Sequence, residues 1–219
     1  PLRMRIRSIT FDLDGTLLDT VADIADSMNA VLSSLGFPTH EADEYRYLVG
    51  DGVETLSRRA LPDGSRSDEL VQKCIGLMGV EYSRRWGKAT RPYEGIPEFL
   101  GLLEARGIKR AVLSNKPDEF TKLMVEHYFR GSSFHVVRGA RPSVPKKPDP
   151  FAALEIARGL DVLPSRTMFL GDTNTDMRTA CNAGMYAVGV LWGFRGAEEL
   201  LKNGARALVS RPDEVLGLL

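Results

Sequence analysis

The chain has 219 residues, long for one domain and short for two full ones; with 43% hydrophobic and 26% charged residues it reads as a globular chain with a sizeable core. Its 29 Lys and Arg balance 29 Asp and Glu, so no net field points to nucleic acid or to a membrane surface. No apolar run approaches about 18 residues, and no charged-then-apolar leader opens the chain, so export and membrane insertion are not expected. Cys74 and Cys181 are too few and too far apart for a disulfide framework or a zinc site. Both lie in helix-like segments and read as small buried hydrophobes, with a reduced cytoplasmic setting as the default. His40, His127 and His135 show no metal-ligand spacing.

Residues 6–14 read as the first strand, because Ile9, Phe11 and Leu13 recur with period 2. The N-terminal basic cluster Arg3, Arg5 and Arg7 reads as a solvated strand edge. The strand ends in Asp12 and Asp14, and Gly15-Thr16 then turns the chain. Carboxylates that close together repel each other and cost stability unless something cationic lies between them. A helix follows over 20–35, where Val21, Ile24, Met28, Val31 and Leu35 keep spacings of three and four. Thr20, with Asp23 three residues on, resembles a capping box, and Gly36-Phe37-Pro38 stops the helix. Segments 41–48, 52–61 and 67–86 also read as helical, broken at Gly50-Asp51-Gly52 and Leu61-Pro62-Asp63-Gly64. Nothing between 20 and 88 reads as a strand.

From Pro92 onward the pattern alternates. Helices are predicted over 96–107, 118–129, 151–159, 174–183 and 197–202. Strands are predicted over 110–113, ending at Ser114-Asn115, then 134–138, 167–170, ending at Gly171-Asp172, 186–191 and 207–209. A proline-studded loop fills 141–150. This alternation predicts an α/β fold, a doubly wound parallel sheet covered on both faces, interrupted after its first strand by an inserted all-helical cap. The expected domains are 1–17 with 90–219 for the core and 18–89 for the cap.

Three predicted strands end in residues suited to phosphoryl transfer: Asp12 and Asp14, then Ser114 and Asn115, then Asp172 with Asp176 four residues on. The proline-rich loop adds Lys146 and Lys147. In a doubly wound sheet these strand ends share one edge. A carboxylate can attack phosphorus to form an acyl phosphate, splitting one hard displacement into two easier ones. Attack by one anion on another needs neutralisation, which Mg²⁺ held by several oxygens supplies. A lysine and hydroxyl or amide donors would hold the phosphoryl oxygens. A second acid must protonate the leaving alcohol and then activate water. Asp12 suits the nucleophile and Asp14 the acid. Taken singly, each feature has a plainer reading: Asp-X-Asp-Gly is a common turn, Ser114-Asn115 and Gly171-Asp172 fit helix N-caps, and Lys147 fits a solvated loop. Four separate elements in an order that makes one site outweigh those readings.

With these residues in place, the chain resembles the haloacid dehalogenase superfamily of phosphohydrolases over nearly its whole length. Phe11-Asp12-Leu13-Asp14-Gly15-Thr16-Leu17-Leu18-Asp19-Thr20 is similar to the first family motif, and Leu113-Ser114-Asn115-Lys116 to the second. Lys147-Pro148-Asp149-Pro150 is similar to the third, and Leu170-Gly171-Asp172-Thr173-Asn174-Thr175-Asp176 to the fourth. The helical insert resembles the C1-type cap. Val49-Gly50-Asp51-Gly52-Val53-Glu54-Thr55-Leu56 and Pro92-Tyr93-Glu94-Gly95-Ile96 resemble the phosphoglycolate phosphatase branch.

The resemblance implies a Rossmann-like core and a role for each residue. Asp12 is the implied nucleophile and a Mg²⁺ ligand; Asp14 is the implied general acid/base and gives the metal its backbone carbonyl. Ser114 and Asn115 hold the phosphoryl group, with Gly15 and Thr16 counted beside them, and Lys147 neutralises it and positions Asp12. Asp172 is a direct metal ligand and Asp176 supports the metal shell. Lys147 is preferred to Lys146 because the family lysine directly precedes the proline. Members that cleave carbon–halogen bonds lack the second Asp of the first motif and P-type ATPases carry Thr there, whereas the hexose-phosphate mutase branch shares it. The cap is expected to choose the substrate, with Arg58 and Arg59 as outlying candidates for a substrate carboxylate.

The reading that follows is a magnesium-dependent phosphatase acting through an aspartyl phosphate on a small phosphorylated metabolite, with 2-phosphoglycolate the leading candidate. Pyrophosphatase, nucleotidase, sugar-phosphate phosphatase and β-phosphoglucomutase are alternatives on the same machinery. A receiver-like signalling module and a catalytically idle binding protein are rivals of another class; the inserted cap and Asp14 argue against the first, and the intact set Asp12, Asp14, Lys147 and Asp172 against the second. No nucleic-acid or membrane partner is expected, and monomer and homodimer both stay open.

Overall fold

The computed structural model describes residues 6–132 and 134–219. The chain separates into two compact units, Pro1–Leu18 with Pro92–Leu219, and Asp19–Arg91. In the first unit lie β1 (Ser8–Phe11) and, after the second unit, α5 (Ile96–Ala105) and β4 (Lys109–Pro117). They are followed by α6 (Asp118–Tyr128), β5 (Val136–Ala140), α7 (Phe151–Gly159), β6 (Thr167–Gly171) and α8 (Asn174–Asn182). The unit ends with β7 (Tyr186–Val190), α9 (Ala197–Lys202) and β8 (Ala207–Val209). The second unit holds α1 (Val21–Ser34), α2 (Tyr45–Leu48), α3 (Val53–Ala60) and α4 (Asp68–Arg85). Where the chain passes between the units, the short β2 (Leu18–Asp19) and β3 (Arg91–Pro92) pair with each other.

Six strands form one sheet in the order β5-β4-β1-β6-β7-β8, with every pairing parallel. The chain builds outward from β1 on one side through β4 and β5, then crosses to the other side for β6, β7 and β8. Beside β1 the direction of winding therefore switches, the place where an open α/β sheet leaves a crevice at its carboxyl edge. Helices cover the sheet by burying small and branched side chains. Ala153, Ile156 and Ala157 of α7 and Met177 and Ala180 of α8 share one core with Ala111, Leu113, Phe169 and Ala187 of the strands.

Several boundaries differ from those expected. The first strand spans Ser8–Phe11 rather than 6–14, and all four of its residues are buried, since it runs between two partners. Its polar residues are inside: Ser8 Oγ lies 2.9 Å from Thr167 Oγ1. Past Phe11 the Asp12 amide still bonds to the Leu170 carbonyl. The Leu13 carbonyl then accepts from the amides of Thr16, Leu17 and Leu18, so the chain turns there. Arg3 and Arg5 of the basic cluster lie outside the described residues; Arg7 is exposed. The strand expected over 110–113 runs on to Pro117, because pairing with β5 resumes after an irregularity: Leu113 sits opposite Arg138 and Pro117 opposite Ala140. Ser114, Asn115 and Lys116 occupy that bulged stretch, a device that re-aims side chains. The strand expected over 134–138 is β5 at Val136–Ala140; Phe134 instead packs edge-on against the rings of Phe11 and Phe129. Cys74 is buried as expected, but Cys181 is exposed, with Sγ 3.6 Å from the Gly204 carbonyl. Among the described residues no helix is long and apolar enough to cross a membrane.

In the helical unit, α1 and α4 pack along each other, burying Ile24, Met28, Val31 and Leu32 from one and Val71, Cys74, Met78 and Tyr82 from the other. The capping box expected from Thr20 and Asp23 does not form. Thr20 makes no side-chain cap bond, and the buried Asp23 carboxylate accepts from Ala89 N at 3.0 Å, Thr90 N at 2.9 Å and Thr90 Oγ1 at 2.7 Å. A carboxylate three residues into a helix was captured by a distant segment offering three donors. Asp23→Ala leaves the two buried Thr90 donors and the Ala89 amide without that acceptor, so we expect a loss of about 2–4 kcal/mol in denaturant-induced unfolding; a change below about 0.5 kcal/mol would show that the contact contributes nothing.

Candidate active site

The residues singled out in the sequence converge on the carboxyl edge of the sheet in the first unit, at the ends of β1, β4 and β6 and on the loop before α7. Asp12, Asp172 and Asp176 are all buried, and each offers a carboxylate oxygen within 4.8 Å of the others. Lys147 is inserted among them. Its Nζ lies 2.9 Å from Asp12 Oδ1 and 2.7 Å from Asp176 Oδ1, with the side chain only 1% exposed. Lys146 is exposed, so the choice between the two lysines falls on Lys147 by geometry.

Thr173 caps α8 and shares a reciprocal box with Asp176, whose Oδ2 accepts from the Thr173 amide and hydroxyl. This fixes Asp176 toward Lys147. Asp172 Oδ1 accepts from the Thr16 hydroxyl at 2.9 Å, and Oδ2 accepts from the Phe194 amide at 2.9 Å. Gly15 makes its turn with φ +85°, and a Cβ there would lie 2.2 Å from Asp172 Oδ2, so only glycine lets the backbone pass so close.

Asp14 is not one of the three clustered carboxylates. Both of its oxygens lie 2.9 Å from Nζ of Lys116, in an ion pair whose side chains are 12% and 6% exposed. Ser114 Oγ accepts from the Lys116 amide at 3.1 Å. The Asn115 side chain grips the main chain of Lys147 in both directions: its Nδ2 donates to the Lys147 carbonyl, and its Oδ1 accepts from the Lys147 amide. Two side chains expected to hold a phosphoryl group thus have another task. Thr16 orients Asp172, and Asn115 orients the lysine loop. Arg58 is engaged by Glu54 and Asp68, and Arg59 by Asp51 and the Leu48 carbonyl.

The sequence reading missed Lys116, although it sits in the quoted Leu113–Lys116 motif, and it missed the segment at 192–194 altogether. A lysine one residue past two candidate ligands was a usable signal. Trp192 to Phe194 carry no charge and give none.

The electrostatics follow from burial. Asp12 is pushed well above the ordinary carboxylate range by loss of solvent and then by Asp176, with Lys147 pulling the other way. Asp172 is raised to about 7, again chiefly by burial and then by Asp176, against the Phe194 amide and the Thr16 hydroxyl. Burial alone would depress Lys147, but Asp12 and Asp176 outweigh it and hold the ammonium above its usual value. Three carboxylates facing one ammonium leave an excess of buried negative charge. An all-oxygen donor set with that excess fits a hard divalent cation.

Comparison with known proteins gives the family. Residues 9–190 match the family model described as haloacid dehalogenase-like hydrolase. The phosphoglycolate phosphatase of Pseudomonas putida is 33% identical over 192 residues, covering 86% of this chain and 70% of that one. The phosphoglycolate phosphatase of Aquifex aeolicus is 31% identical over 216 residues, covering 98% and 97%. The crystal structure of CbbY from Rhodobacter sphaeroides in complex with phosphate superposes with a TM-score of 0.79 at 23% identity, covering 96% of each chain, a likeness of fold. The chain belongs to the haloacid dehalogenase-like hydrolase family and is one of its phosphatases.

Proposed function

We propose that this phosphatase hydrolyses 2-phosphoglycolate to glycolate and phosphate through an aspartyl phosphate on Asp12, with Mg²⁺ as its metal. The observation that carries the mechanism is Lys147 buried between Asp12 and Asp176 with Asp14 paired to Lys116 outside the acidic cluster. The substrate rests on the relatives at 31–33% identity that carry the phosphoglycolate phosphatase name. A cytoplasmic setting belongs to the same proposal.

Asp12, Asp172 and Asp176, with the main-chain carbonyl of Asp14, would hold the cation. When bound, it neutralises the anions and so permits a carboxylate to approach a phosphate. Asp12 attacks phosphorus, and the bond to the ester oxygen breaks as Asp14 gives that oxygen its proton. The Asp14 carboxylate, steadied by Lys116, next takes a proton from the water that attacks the acyl phosphate, which releases phosphate and restores Asp12. Lys147 and Ser114, with Asn115, hold the phosphoryl oxygens while charge moves between them. Selection among substrates is assigned to the helical unit.

The test is phosphate release from phosphoglycolate, pyrophosphate, nucleotides and sugar phosphates, with MgCl₂ and with excess chelator; glucose 1-phosphate isomers are followed separately for isomerisation. Magnesium-dependent release greatest on phosphoglycolate is expected. A stronger response to another compound overturns the substrate and leaves the mechanism; undiminished release in chelator overturns the metal.

The raised carboxylates give a pH prediction. An unfolded Asp ionises near about 4, whereas folded Asp172 keeps its proton up to about 7. Between those values the folded state binds more protons than the unfolded one, so this group's contribution to stability falls as pH rises through the window and stays low above it. A divalent cation held by these carboxylates would favour their ionised forms and offset that penalty. The rise in Tm on adding MgCl₂ is therefore expected to be larger at pH 8 than at pH 5. Equal rises at the two pH values would contradict the reading.

A further inference from the structure

Asp172 lies in a closed circuit of hydrogen bonds that joins three segments. The Thr16 hydroxyl donates to Asp172 Oδ1 and the Phe194 amide donates to Asp172 Oδ2, both at 2.9 Å. Two residues before Phe194, the indole Nε1 of Trp192 donates to the main-chain carbonyl of the same Thr16, at 3.0 Å. The turn after β1 and the segment after β7 thus hold opposite oxygens of one carboxylate, and the Trp192 bond ties those two supports together.

Gly193 makes the closeness possible. A Cβ at this residue would lie 2.2 Å from Asp172 Cβ and 2.4 Å from the Gly15 carbonyl oxygen. The backbone of the segment therefore rests directly on the carboxylate it orients. The segment is anchored at both ends: the Leu191 amide donates to the Val209 carbonyl at 2.9 Å, and Arg195 Nε lies 3.3 Å from Glu199 in α9. Phe194 and Arg195 are buried, whereas Trp192 is partly exposed.

We infer that the segment Trp192–Phe194 is a latch that sets the direction of the Asp172 carboxylate for cation binding, with Trp192 as a positioning residue. Without the indole bond, the Thr16 turn and the Phe194 amide are joined only through Asp172 itself, and the two oxygens of Asp172 lose their common reference. Ligands whose supporting hydrogen bonds are removed commonly bind metal about 10- to 100-fold more weakly. The inference rests on the metal reading under Proposed function, and the experiment separates the two.

Mg²⁺ binding to the apo protein is titrated by calorimetry for the wild type and for Trp192→Phe, which keeps the ring and removes only the donor. Gly193→Ala is the second variant. A parallel titration follows Trp192 emission in a Trp86→Phe background, where Trp192 is the single tryptophan. The latch predicts affinity about 10- to 100-fold weaker in Trp192→Phe, an apo Tm close to wild type, and Trp192 emission that changes and saturates with Mg²⁺. Wild-type affinity in Trp192→Phe overturns the latch even where Gly193→Ala fails to fold, and so does emission that is flat across a saturating titration. If the wild type binds no Mg²⁺, the metal reading itself fails and takes this inference with it.

Discussion

Asp12→Asn is expected to lower kcat by roughly four to six orders of magnitude while the protein stays folded. The amide has nearly the shape of the carboxylate but no lone pair competent to attack phosphorus, so the acyl phosphate cannot form. The folded state has no reason to suffer. Asp12 is buried beside two other carboxylates, and its raised ionisation range shows that the charged form is costly there. A neutral side chain relieves that cost, and Lys147 keeps Asp176 as its partner at 2.7 Å. The apo variant should therefore melt at or above the wild-type temperature. Loss of activity accompanied by loss of fold would point to a structural role instead. Turnover within about tenfold of wild type, with the fold intact, would exclude Asp12 as the nucleophile.

Asp14→Asn is expected to divide the reaction into its two halves. General acid–base groups contribute about 10²- to 10⁴-fold, and Asp14 is asked to act once in each direction. With p-nitrophenyl phosphate the leaving group needs little help from an acid, so the first step survives the substitution. Attack of water on the acyl phosphate still needs a base and slows by the full amount. The expected record is a burst of nitrophenol approaching one per active site, followed by a steady rate roughly 10²- to 10⁴-fold below wild type. A linear trace without a burst, at a wild-type rate, would remove Asp14 from the second step. Asn keeps only one of the two acceptors that Lys116 uses, so the Tm of the variant is compared with the wild type alongside this record.

The candidate site was legible in the sequence because its residues are concentrated at strand ends. Parallel strands in βα units each finish at the same edge, so Asp12, Ser114 and Asp172 could be placed together without coordinates. The parallel order and the inserted helical segment followed from the same alternation. What stayed hidden depends on contacts between residues far apart in the chain. Asp23 looked like the third residue of a capping box, and its real partners are 66 and 67 residues on, at Ala89 and Thr90. Thr16 and Asn115 were expected to bind the phosphoryl group, and the bonds of the Thr16 hydroxyl to Asp172 and of the Asn115 amide to the Lys147 main chain are tertiary facts. Lys116 was hidden by register: a bulge after Leu113 is what turns it toward Asp14. Trp192 to Phe194 act through one indole and one main-chain amide, and a backbone donor leaves no mark on residue type.

The most direct test of the account is to locate the phosphoryl group. Asp14→Asn protein mixed with p-nitrophenyl phosphate and Mg²⁺ is quenched in acid and reduced with borohydride, which converts an acyl phosphate of Asp to homoserine, and the peptides are then mapped by mass spectrometry. Homoserine is expected at position 12, dependent on both substrate and Mg²⁺, and none is expected at Asp172 or Asp176. Homoserine at Asp172 or Asp176 instead, or none at all from a variant that still releases a burst of nitrophenol, would contradict the assignment of Asp12.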